Sequence, residues 1–101
     1  MTLLEQTYTG LRQAGLVGTA EAFSTNYLGK NKNWYSYQTH MRRDMTLGAA
    51  VQCARSLRLF STSEAALTGT QNSVISATLR AIEQHLAERY MVTALADAAV
   101  H

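Results

Sequence analysis

Proline is absent from the 101 residues, so nothing obliges a helix to kink, and glycine, asparagine and the Ser/Thr clusters carry all the punctuation. The single cysteine, Cys53, excludes an internal disulfide, and its place on an apolar helical pattern marks it as a small core hydrophobe. No run of eighteen apolar residues is present, and the opening MTLLEQTYTG has no basic stretch leading into a hydrophobic one. Neither a membrane span nor a secretory signal is therefore expected, which points to a cytoplasmic protein with no membrane partner.

Acid is missing from one stretch altogether. Between Lys30 and Arg43 there is no Asp or Glu, although the net charge of the chain is only +2. Through Arg58, seven basic residues stand against three acidic ones, and after it two stand against four, so the halves carry +4 and −2. A basic first half suits contact with phosphates and an acidic second half suits packing, although a basic loop is also an ordinary solvated surface. Groups for catalysis are missing too. His40, His85 and His101 are not spaced as metal ligands with one another or with Cys53, and Glu83 and Glu88 have only His85 near them in sequence. With no phosphate-cradling glycine loop and no nucleophile elbow, the expectation is a protein that is not an enzyme and needs no metal or cofactor.

What remains is a chain that is 47% hydrophobic, long enough for one domain with a real core. Thr2 can cap a helix over about 3–14, in which Leu4, Tyr8 and Leu11 share a face and which Gly15 stops. Thr19 can cap a second helix that presents Ala22, Phe23, Tyr27 and Leu28 and ends at Gly29. Asn31 can cap a third over about 32–40, in which Asn33, Ser36, Tyr37, Gln38, Thr39 and His40 are all able to hydrogen-bond, Tyr35 is expected inward and Trp34 half-buried. Thr46 can cap a fourth over 47–58 with Leu47, Ala50, Val51, Ala54 and Leu57 as its stripe. Residues 59–71 read as a linker or short helix, opened by a Ser61-x-x-Glu64 capping box and closed by Gly69. From Asn72 a long C-terminal helix carries Ile75, Leu79, Ile82, Leu86 and Tyr90 along one side.

The segment from Gly18 to Leu57 resembles the DNA-binding domain of the lambda-repressor-like (Cro/XRE) regulators. More closely it is similar to short bacterial proteins of unassigned function with a Phe-Ser-x-x-Trp/Tyr-Leu-Gly signature. The residues that carry the likeness are Phe23-Ser24, Leu28-Gly29, Trp34-Tyr35-Ser36 and the Thr46-Leu47 helix start, and it spans about residues 3–57. Three differences stand out. Ser24 lies five residues before Gly29 instead of four, which predicts a longer first helix or a wider turn. Lys30 replaces an apolar residue, and Gln38 replaces a Leu or Ile, so either Tyr35 and Met41 complete the packing or the second helix is rotated.

The resemblance implies an all-α, lambda-repressor-like helix-turn-helix bundle of four to five helices, with residues 1–58 as the DNA-binding domain and 72–101 as an appended helix. It implies sequence-specific binding of double-stranded DNA in transcription regulation. On that reading Lys32, Asn33, Ser36, Tyr37 and Gln38 face the bases, while Lys30, Arg42 and Arg43 hold phosphates. Because such proteins commonly read paired half-sites, a homodimer is expected, with the stripe Ile75, Leu79, Ile82, Leu86 and Tyr90 either joining two copies or folding back onto its own bundle. The competing expectation is an interaction module, an antiactivator or adaptor that grips another regulatory protein.

Overall fold

The computed structural model describes residues 1–62 and 67–90. The described residues form an all-α bundle of five helices: α1 (Leu3–Gln13), α2 (Ala20–Ala22, running directly into a π-turn over Phe23–Tyr27), α3 (Trp34–His40), α4 (Leu47–Thr62) and the long α5 (Gly69–Tyr90).

Helix ends follow the local chemistry. At the start of α1 the Thr2 hydroxyl accepts from the Glu5 amide and the Glu5 carboxylate accepts from the Thr2 amide, a reciprocal cap that satisfies two otherwise orphaned donors. The helix closes at Gly15, whose φ of +77° lets the Leu16 amide turn back to the Leu11 carbonyl. Thr46 caps α4 through the Ala49 amide. The fourth helix continues to Thr62, beyond the expected stop at Arg58, because nothing in Leu59-Phe60-Ser61 interrupts it. Thr68 and Gln71 form a second reciprocal cap, so α5 opens at Gly69 and that glycine begins a helix instead of ending one. The rest of the expected short helix, with Glu64, lies outside the described residues.

One core joins all five helices. Leu4 and Leu11 from α1, Phe23, Tyr27 and Leu28 around the π-turn, Met45, the small residues Ala49, Ala50, Cys53 and Ala54 of α4 with Leu57, and Ile75, Ile82 and Leu86 of α5 are all buried. Small side chains on α4 let α5 approach it closely, and α5 packs against α1 as well. Leu47, expected on the buried stripe of α4, is 41% exposed, and Ala49 and Cys53 take the inner positions instead.

This arrangement corrects the dimerisation reading of α5. Ile75, Ile82 and Leu86 are between 0% and 2% exposed in a single chain, Leu79 packs partly against the same core, and only Tyr90 is exposed. The groove between α1 and α4 supplies the apolar partner that the sequence pattern demanded but could not locate. The Arg58 guanidinium donates to the Glu83 carboxylate at 2.7 Å, and the Gln71 amide donates to the Ala14 carbonyl, so α5 is fixed to both neighbours by polar contacts too.

Candidate nucleic-acid interface

The extra residue between Ser24 and Gly29 is absorbed as the π-turn. The Leu28 amide donates to the Phe23 carbonyl five residues back at 3.2 Å, which swells the helix by one residue without breaking its ladder. The Lys30 amide then closes on the Ser24 carbonyl at 2.9 Å across Gly29, whose φ is +64°. Glycine is required there twice over: the left-handed backbone disfavours a side chain, and a Cβ would sit 3.1 Å from Cγ of Gln52.

Ser24 joins the two helices. Fully buried, its hydroxyl donates to the Ala20 carbonyl and accepts from the Tyr35 amide, each at 3.0 Å. That amide belongs to the first turn of α3, where helix geometry leaves donors without partners. Asn33 occupies the N-cap position without a side-chain cap bond, so the cap comes from α2 across the turn. Asn31 spends its carboxamide oxygen on the Asn33 amide, so α3 begins at Trp34 instead of Lys32. Lys32 and Asn33 therefore stand in the turn that precedes α3, not on the helix.

The rotation of α3 is set by aromatic packing. The Tyr35 ring lies 4.7 Å from Tyr8 and 5.5 Å, edge-on, from Phe23, and burial, with help from the charge of Glu5, pushes its phenol pKa up. Tyr35 is half-buried; Gln38, one turn on, is buried, and its amide nitrogen donates to the Asp44 carbonyl at 3.3 Å. This removes Gln38 from the expected base-reading set: a polar side chain at an inward position is accommodated because a loop carbonyl meets it. Met41 does not complete the packing either; it is 44% exposed, whereas Met45 is buried.

The opposite face carries Ser36, Tyr37, His40 and Met41, all exposed, continuing from the exposed Lys32 and Asn33. Lys30 is half-buried, with its ammonium 5.7 Å from the centre of the Trp34 ring. After α3 the Arg42 amide donates to the Thr39 carbonyl and the Arg43 amide to the Gln38 carbonyl, a closing motif that needs a left-handed residue between. Arg42 fills that place with φ +56°, where glycine is usual. Its neighbour Arg43 holds its guanidinium 6.0 Å from the Tyr37 ring centre.

Asp44 anchors the loop from behind. Its carboxylate accepts from the Leu4 amide at 3.0 Å and the Met45 amide at 2.7 Å. Burial alone would raise its pKa, but these amides, that of Leu3 and the charge of His85 together hold it below the ordinary carboxylate range. The acid nearest the basic stretch is thereby turned toward α1. Among the described residues the ion pair is Arg58 with Glu83, away from this face, so Lys30, Lys32, Arg42 and Arg43 have no carboxylate partner there.

Cys53 is a free buried thiol whose pKa is pushed up to about 12 by burial, which suppresses the reactive thiolate. Among the described residues no group of three His, Cys, Asp or Glu side chains is placed to hold a metal ion, and no helix is long and apolar enough to cross a membrane. The fold and this face define a small all-α protein with a polar face on α3 and basic residues in the turns on either side of that helix. The chain belongs to a family of unknown function, DUF6626, which matches residues 4–99. No curated protein and no solved structure matches it.

Proposed function

We propose that this protein is a sequence-specific DNA-binding regulator of transcription that places α3 in the major groove. The observation that supports it best is the composition of one exposed face: Asn33, Ser36 and Tyr37 offer hydrogen-bonding groups, and the half-buried Lys30 and the exposed Lys32, Arg42 and Arg43 flank them with no carboxylate partner among the described residues. Base edges need the first set and phosphates the second. Asn33 is the side chain best suited to pair donor and acceptor with adenine, since Gln38 is spent inside. Pairing of two copies on a two-fold site belongs to this reading only through surfaces other than the α5 stripe.

The test is the salt dependence of binding by the full chain to a DNA site obtained by selection from random sequence. Four cations on phosphates give a log-log slope of roughly −3.6 and a loss of about 150-fold in affinity between 50 and 200 mM salt. Neutralising Arg43 should flatten that slope by about one contact while leaving the preferred sequence unchanged. A second reading, an adaptor that grips another protein, draws on the exposure of Tyr37, Met41 and Leu47. Absence of any selected DNA site, or affinity indifferent to salt, would favour it over DNA binding.

A further inference from the structure

Two large side chains put apolar surface on the polar face of α3: the ring of Tyr37 and the thioether chain of Met41. Tyr37 and Met41 lie four residues apart, one helical turn, and are 53% and 44% exposed. Their surroundings are otherwise polar: Ser36 and His40 beside them, Arg42 and Arg43 directly after. The Arg43 guanidinium stands over the Tyr37 ring, so Tyr37 has a neighbour that stiffens it, whereas Met41 extends beyond the last helical turn with its backbone fixed by the Thr39 and Tyr37 carbonyls. A methionine thioether donates no hydrogen bond and accepts only weakly. Of the groups that base pairs display in the major groove, the thymine C5-methyl is the apolar one.

We infer that Tyr37 and Met41 form an apolar reading head for thymine methyl groups, so that the preferred DNA site holds thymine opposite the C-terminal end of α3. The inference rests on the DNA-binding reading of the same face and adds the class of base that this end of the helix selects. Charge supports the occupant: the flanking arginines bring a phosphate backbone to this end of the helix, and the base edges next to that backbone are what Met41 meets. A protein partner with an apolar surface would find the same pair beside Arg42 and Arg43, which have no carboxylate partner among the described residues.

Replacing thymine by deoxyuridine removes the methyl group and leaves every hydrogen-bonding atom of the base pair in place. With the full chain and its selected site, each thymine is exchanged singly for deoxyuridine and affinity is measured at fixed salt. One or two positions should lose about three- to fivefold, the size expected for one buried methyl group. In Met41→Ser, an exposed position where circular dichroism should report an unchanged fold, the same exchange should cost less than about 1.5-fold, because the contact is already gone. If the site is bound selectively but no exchange weakens binding, or Met41→Ser keeps the full penalty, the thymine reading is overturned while DNA binding stands. If no DNA site can be selected at all, the underlying reading fails and this inference with it.

Discussion

The α1, α4 and α5 scaffold and the α2–α3 unit are built by different means. In the scaffold, Leu4, Leu11, Leu57, Ile75, Ile82 and Leu86 are buried hydrocarbon, held further by polar ties at Gln71 and Glu83. The α2–α3 unit also buries Phe23, Tyr27 and Leu28, but its turn and its third helix are placed by individual polar groups: a buried serine that caps its neighbour, a glutamine amide on a loop carbonyl, an aspartate on backbone amides and an arginine in a left-handed conformation. Burial by area tolerates imprecise geometry, whereas each of those hydrogen bonds demands it. The scaffold should accordingly set how stable the protein is, and the α2–α3 unit how accurately the exposed face of α3 is presented.

The largest effect should come from the scaffold. Leu86→Ala removes a fully buried side chain and should lower unfolding free energy by roughly 2–5 kcal/mol, read by chemical denaturation. Light scattering should find wild type and variant with the same mass at equal concentration, since the side chain is used within one chain. A dimer that falls apart in the variant would return the α5 stripe to an interface role and erase the contrast.

Ser24→Ala comes next and tests the other region. It leaves the partly buried Tyr35 amide without the Ser24 acceptor, a loss of about 1–3 kcal/mol. What matters for the comparison is where that loss appears. Hydrogen exchange should accelerate in the first turn of α3 and leave α5 protected; uniform acceleration would mean that the two regions do not open separately.

Much of this architecture was legible in the chain because it depends on neighbours in sequence. The caps at Thr2, Thr19 and Thr46, the stops at Gly15 and Gly29 and the extra residue before Gly29 are local signals, and each has its counterpart in a short-range bond. The π-turn is the structural form of that extra residue. The partner of α5 was not legible, since an apolar stripe is the same whether its own bundle or a second copy covers it. Nor was the inward turn of Gln38, because the carbonyl that satisfies it is supplied by Asp44 in the loop. For Met41 and Met45 the side chain is identical, and only the end of α3 decides which of them is exposed. The reciprocal Thr68 and Gln71 cap was readable from its spacing and would have set the start of α5 at Gly69.

Acid should sharpen the comparison further through Asp44. Its folded pKa is lowered, so the stability it contributes is present above the ordinary aspartate value and is lost as pH falls through that value toward the lowered one. Asp44→Asn keeps an acceptor atom but not the charge. Wild type should therefore exceed this variant in stability at neutral pH, and the gap should narrow below about pH 4. A gap that is constant down to pH 2 would mean that the carboxylate charge contributes nothing to the anchoring of the basic loop.

The smallest effect on stability should be at Arg42, and it should run against the effect on binding. A side chain at φ +56° costs roughly 1–2 kcal/mol relative to a right-handed conformation. Glycine removes that strain but adds about 0.5–1 kcal/mol of backbone entropy to the unfolded chain. Arg42→Gly should thus be neutral to slightly stabilising, by about 0.5 kcal/mol, with the hydrogen bonds to Thr39 and Gln38 preserved. Yet the same change deletes an exposed cation from the proposed phosphate-binding edge, which should weaken DNA binding and reduce the salt slope by about one contact. Opposite signs in the two measurements would mean that the strain at Arg42 is retained for what its side chain touches. Loss of stability with unchanged binding would instead assign Arg42 to the scaffold's way of working, and the proposed phosphate-binding edge would then be without it.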